Sequence, residues 1–247
     1  MPGESSSSND VPLAVVTGAA RRIGRLIALH LAGRGYAIAL HYHASQGDEQ
    51  KTALEIRDLG VPVHLFKADL TRPHEIEAIF STIDSTPAQL KILVNSAAVL
   101  KPSNLMTIDV DTWDGLFDLN ARAVWLCSRE AAKRMTGGGL ILNISDVGAR
   151  KTWTRYGGYV ISKTVVESLT KVMARQLAPR VRVCAVAPGL LMRAEGQPKD
   201  EWERLVEKVP MQRPADPEEL LSFVDLLIAN DYITGEVLSL SGGYQLV

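Results

Sequence analysis

Cysteine is scarce in this chain: two residues in 247, Cys127 and Cys184, each set inside an apolar segment. A disulfide framework is thereby excluded as the source of stability. Two buried thiols in a reducing compartment is the natural reading, with one bridge between them still open at this level. No Cys/His cluster has zinc spacing, and His41 and His43 alternate at a strand end without further ligands nearby, so no metal is expected. Charge of either sign is not in excess. The net value of -1 provides no global field toward nucleic acid or an anionic membrane, and neither is expected as a partner. Long apolar runs are missing too, so no segment reads as a bilayer span. The opening "MPGESSSSND" lacks the charged-then-apolar pattern of a secretory signal. It reads as a disordered polar tail over residues 1–10, followed by one domain over 11–247 and a cytoplasmic location.

What the chain does have is alternation. Short β-branched runs ("PLAVVTG", "YAIALHY", "PVHLFKADL", "LKILVNSAA", "GGLILNIS", "VRVCAVAPG", "GEVLSLSGG") are separated by segments of helical periodicity. One long helix is expected through "TWDGLFDLNARAVWLCSREAAKRM" and another through "YGGYVISKTVVESLTKVMARQLA". Strands joined by helices of this length pair in parallel through right-handed crossovers. The fold class is therefore α/β: a doubly wound (Rossmann) parallel sheet of seven strands in a single domain, with ligands at the carboxyl ends of the strands.

The first strand runs into "VVTGAARRIGR". Gly18 permits a sharp turn and Gly24 close packing of the following helix, whose N-terminus offers free N–H groups and a positive dipole to a diphosphate. An acid at the end of the second strand would mark an NAD-type ribose site. Here that strand ends "LHYHAS", with no acid before Asp48, while Arg21 and Arg22 stand in the turn. Guanidinium suits a 2′-phosphate, so NADPH is the expected cofactor.

Tyr159 and Lys163 lie four apart on one helix face. A free phenol has a pKa of about 10, and a neighbouring ammonium pulls it toward the working range. Asp146 stands thirteen residues before Tyr159. Neighbours on a strand point to opposite faces, so if Asp146 faces the reaction centre Ser145 does not; a one-residue slip at the strand end would exchange the two.

With these pieces in order, residues 11–247 resemble the short-chain dehydrogenase/reductase family. The resemblance is carried by "TGAARRIG" (17–24), "ADL" (68–70), "NSAA" (95–98), Asn120 in "DLNARA", "YVISK" (159–163), "APG" (187–189) and "SGGY" (241–244). It implies hydride transfer from a nicotinamide, a proton relay of Asn120, Tyr159 and Lys163, and a homotetramer or dimer built partly on the two long helices. It also implies a cofactor site that takes in Thr17, Gly18, Ile23, Gly24, Asp69 and Leu70 at the adenine, Asn95, Ala97, Pro188 and Gly189. Most members carry a serine at the position of Asp146. An acid there is similar to the pteridine reductases and dihydromonapterin reductases, as are "LHYHAS" (40–45), the arginine in "AARRIG", Tyr156, "KVP" (208–210) and "YITG" (232–235).

By that resemblance Arg22, His43 and Ser45 grip the 2′-phosphate, and Leu100, Asp146, Tyr156 and Tyr159 face the substrate. A pterin C=N bond needs a proton at nitrogen beside the carbon that accepts hydride, which a carboxyl can relay, and burial would raise that carboxyl's pKa. Two positions depart from the pterin-reducing pattern, Ala44 in place of an arginine and Leu100 in place of a stacking phenylalanine; Ser96 replaces the second asparagine of the wider family's "NNAG", a change that leaves the carried-over Asn95 in place. The expected activity is NADPH-dependent reduction of a dihydropterin, including dihydrofolate. A carbonyl or 3-oxoacyl reductase is the alternative on the same scaffold, and a non-catalytic NADP-binding regulator a third. Trp153, Leu190, Met192 and Trp202 are expected to border the pocket, with 190–198 as a candidate lid.

Overall fold

The computed structural model describes residues 11–247, so the tail expected at 1–10 lies outside the described residues. The apolar runs extend as β1 (Pro12–Thr17), β2 (Ala37–Tyr42), β3 (Val63–Lys67), β4 (Gln89–Asn95), β5 (Gly139–Ile144), β6 (Val181–Pro188) and β7 (Val237–Leu240). They make one all-parallel sheet in the order β3-β2-β1-β4-β5-β6-β7. The order reverses between β1 and β4, which opens a crevice at their carboxyl ends.

The described residues form eight α-helices: α1 (Arg22–Gly33), α2 (Asp48–Asp58), α3 (Pro73–Ile83), α4 (Val110–Phe117), α5 (Ala123–Arg134), α6 (Gly157–Leu177), α7 (Lys199–Glu207) and α8 (Pro217–Ala229). Side-chain alternation along each strand feeds two cores. Leu13, Val15, Leu93, Ile141 and Val183 pack with residues of α3, α5 and α6 on one face. Ala14, Val16, Val94, Leu142 and Val186 pack with residues of α1, α2 and α8 on the other. Strands buried on both sides are apolar at nearly every position, as parallel sheets require. Cys127 belongs to the first core and Cys184 to the second, with the sheet between them, and both thiols are free. That closes the disulfide alternative.

The long helix expected across 112–135 runs unbroken from Val110 to Arg134 but is not α-helical throughout. A π turn over Asp118–Arg122 separates α4 from α5 and contains Asn120. Widened turns of this kind re-aim side chains, and they cluster at functional sites.

Candidate active site

The β1–α1 turn is shaped by what it has no room for. Gly18 has φ +64°, and a Cβ there would lie 2.9 Å from Ala97 Cα; one on Gly24 would lie 2.3 Å from the Gly18 carbonyl oxygen. The turn therefore brings bare backbone and the start of α1 to the crevice, a cradle that fits a diphosphate. His41 straps it in place. Its Nδ1 accepts from Gly18 N–H (3.1 Å), so Nε2 carries the proton and donates to the Ala68 carbonyl (3.1 Å). Burial lowers the His41 pKa to about 4 and keeps the ring neutral. In the sequence His41 stands only as part of "LHYHAS" and as one of two alternating histidines, and neither pattern announces its role as a strap.

The crevice widens into a cleft of about 1760 Å³, whose walls include Gly18, Arg22, Ile23, Gly24, His43 and Ser45 at one end. Asp69, Leu70, Ala97, Pro188 and Gly189 also line it. The volume exceeds the roughly 300–1,000 Å³ of a site for one drug-sized ligand, and leaves room for a dinucleotide and a second molecule. Asp69 accepts from Thr71 N–H (3.0 Å) and Thr71 Oγ1 (2.7 Å). Burial pushes its carboxyl up, but these bonds outweigh it and the net shift is downward.

Two side chains expected at the cofactor stand behind the cleft lining. Thr17 is buried behind the wall, where its hydroxyl oxygen accepts from the amides of Ser96 (3.0 Å) and Ala97 (3.1 Å). The Asn95 amide points into the sheet's covered face and donates to Asn143 Oδ1 (2.8 Å) and Ser128 Oγ (3.0 Å). Both hold the β4 turn in shape rather than line the cleft, because each strand-end side chain finds its partners on neighbouring strands and helices. Arg22 adds a third difference: its guanidinium donates to the carbonyls of Arg193 (3.0 Å) and Met192 (3.2 Å), while Arg21 lies 3.7 Å from Glu195. Both arginines reach the 190–198 segment.

At the reaction centre Asp146 and Tyr159 meet. The Tyr159 hydroxyl donates to Asp146 Oδ2 (2.8 Å), and the Gly148 amide donates to Oδ1 (2.6 Å). Ser145 faces the other way, donating to Glu167 Oε1 (3.3 Å). The alternation holds because the backbone stays extended past β5: Ser145 N–H still bonds the Val186 carbonyl (2.8 Å), and Asp146 has φ -159° and ψ 142°. Burial raises the Asp146 carboxyl, opposed by the Gly148 and Tyr159 hydrogen bonds and the Lys163 charge.

Lys163 is buried, donates to the Ile144 carbonyl (2.8 Å) and is lowered to about 8 by desolvation. The expected fall of the Tyr159 pKa is reversed here. Burial first, and then the Asp146 charge and hydrogen bond, push the phenol well above its usual value. The carboxylate, not the ammonium, is the group it touches.

The Asn120 amide donates to the Val99 carbonyl (2.9 Å) and Ser162 Oγ (3.1 Å), and its oxygen accepts from Val99 N–H (2.9 Å). The π turn aims the side chain at the β4 loop, which it ties to α6.

Leu100, Trp153, Tyr156, Leu190, Met192 and Trp202 also line the cleft. Tyr244 joins them, its ring 6.4 Å from Trp153 and capped by Lys151 Nζ at 4.0 Å. It was unread in "SGGY" because nothing local links it to Trp153. Among the described residues no group of three or more His, Cys, Asp or Glu converges as a metal site, and no helix is long and apolar enough to cross a membrane.

Residues 18–245 match the family model described as enoyl-(acyl carrier protein) reductase. A short-chain type dehydrogenase/reductase of Picea abies is 34% identical over 94% of this chain and 91% of its own length. A 3-oxoacyl-(acyl-carrier-protein) reductase of Staphylococcus epidermidis is 31% identical over 94% of this chain and 98% of its own. Among solved structures, alternative dihydrofolate reductase 1 of Brucella canis, complexed with NADP, superposes with a TM-score of 0.90 at 30% identity, covering 96% of this chain and 94% of that one. The chain belongs to the short-chain dehydrogenase/reductase family of oxidoreductases.

Proposed function

We propose that the protein is an NADPH-dependent reductase of a C=N bond in a dihydropterin, with dihydrofolate within its range. The observation that carries this reading is the 2.8 Å hydrogen bond from the Tyr159 hydroxyl to a half-buried carboxylate, Asp146. When bound, the nicotinamide supplies a hydride to the ring carbon. The nitrogen next to it then needs one proton, and the Tyr159–Asp146 pair holds that proton between two oxygens. Lys163 stands beside the pair as the cation that steadies the charge left behind. Asp146 also offers an acceptor to ring N–H and amino groups, which a ketone substrate lacks. The likeness to a dihydrofolate reductase solved with NADP supports the same substrate class and cofactor. Arg22, His43 and Ser45 are the residues proposed to meet the 2′-phosphate, and the assembly is proposed to be a homotetramer.

A second reading, reduction of a carbonyl or 3-oxoacyl group, draws on the Staphylococcus relative and on Leu100, which is half-exposed and offers no aromatic face. NADPH oxidation by purified protein, with dihydrobiopterin, dihydrofolate and an acetoacetyl thioester side by side, separates the two. Turnover of a pterin or of dihydrofolate is expected; turnover of the thioester alone would reject the pterin reading.

A further inference from the structure

Behind Ser45, at the end of the cleft proposed for the adenosine, stands a carboxylate that the strand-end pattern hides. Ser45 is buried and lines the cleft beside Arg22 and His43, but its hydroxyl donates to Glu49 Oε2. The same oxygen accepts from the Gly47 amide (3.1 Å). Glu49 sits in the first turn of α2, four residues past Ser45, so the turn Ser45–Gly47 wraps its own acid. Its pKa is lowered, first by the Ser45 hydrogen bond. The carboxylate is ionised and already holds the serine proton.

From this geometry we infer that Glu49 is a specificity-determining residue, setting how strongly the site distinguishes a dinucleotide with a 2′-phosphate from one without. The inference rests on the proposed NADPH site, and on Ser45 as one of its phosphate contacts. A phosphate has only acceptor oxygens to offer at neutral pH, so it binds Ser45 by taking the proton now given to Glu49. It then lies within a few ångströms of a carboxylate, and like charges repel. A free ribose hydroxyl is a donor and bonds Glu49 without loss. The arginine that would offset the repulsion, Arg22, is engaged with the carbonyls of Met192 and Arg193, and position 44 holds an alanine. Glu49 thus narrows the preference for the phosphorylated cofactor, although the end of β2 carries no acid.

The test is binding of 2′,5′-ADP and of 5′-AMP to the full chain by calorimetry, in wild type, Glu49→Gln and Glu49→Ala. Glutamine still accepts from Ser45 and Gly47, which preserves the turn; alanine removes the group and gives an independent reading. Both variants are expected to raise the affinity ratio of 2′,5′-ADP to 5′-AMP by about fivefold, the size of a close, partly screened charge repulsion. An unchanged or lowered ratio in both would overturn the inference. A wild-type preference for 5′-AMP would instead overturn the NADPH reading, while a ratio that still rises in the variants would uphold the role of Glu49.

Discussion

Replacing Asp146 with serine restores the side chain most of the family carries, and separates the two chemistries. Asp146 holds two bonds, Gly148 N–H at 2.6 Å and the Tyr159 hydroxyl at 2.8 Å. Serine is one atom shorter and keeps at most one of them. An amide left without an acceptor in a buried site costs about 1–3 kcal/mol, which in a chain of this size lowers Tm by roughly 2–4 °C per kcal/mol. The catalytic loss is separate and larger. A positioned proton donor contributes about 10²–10⁴-fold, so pterin turnover should fall by roughly two orders of magnitude or more. Carbonyl reduction should hold or improve, because removing the carboxylate removes two of the three causes that push the Tyr159 phenol upward. NADPH affinity should stay within about threefold, under 1 kcal/mol. The assay is steady-state NADPH oxidation on both substrate classes, with NADPH binding by fluorescence. Equal losses in kcat on both substrates and in NADPH binding would refute the reasoning and leave Asp146 a structural cap of the turn.

Two further outcomes are expected. His41 is held neutral with its pKa lowered from 6.5 to about 4; the unfolded chain binds its proton first, so stability is full above pH 6.5 and falls between 6.5 and 4. The loss is about 3 kcal/mol, and urea melts at pH 7 and pH 4.5 check it, with no difference between wild type and His41→Gln in this dependence counting against the strap. Gly24→Ala places a Cβ against the Gly18 carbonyl at 2.3 Å; overpacking of this kind costs roughly 1–3 kcal/mol, and dinucleotide binding measured by fluorescence should weaken while the far-UV spectrum is retained.

The sheet and its helices were legible because the strands' apolar runs and the helical periodicity belong to local stretches of chain. Asp146 was legible for a related reason: alternation along an extended strand end is a local rule, and the backbone obeys it from Ile144 through Asp146. Partners across the fold were not. The Thr17, Asn95 and Asn120 side chains turn to Ser96, Asn143 and Val99, choices made by strand register and a π turn that composition does not announce. The rise of the Tyr159 pKa was not legible because spacing brings both Lys163 and Asp146 toward the phenol but does not say which of them touches it. Glu49 escaped because the acid expected of a ribose site was sought on β2 rather than on the helix after it.

The proton for reduction at nitrogen is proposed to come from the Tyr159–Asp146 pair, which works only with the Asp146 carboxyl in place. The pH dependence of kcat on a dihydropterin, for wild type and Asp146→Asn, tests it most directly. Burial raises the Asp146 carboxyl, and Lys163 titrates at about 8. A proton donor works below its pKa, so wild-type turnover should decline with rising pH in two steps, one from the Asp146–Tyr159 pair and one from Lys163. The wild-type profile should lose one of its two steps in Asp146→Asn and keep the other. Two steps that persist unchanged in the asparagine variant would contradict the account.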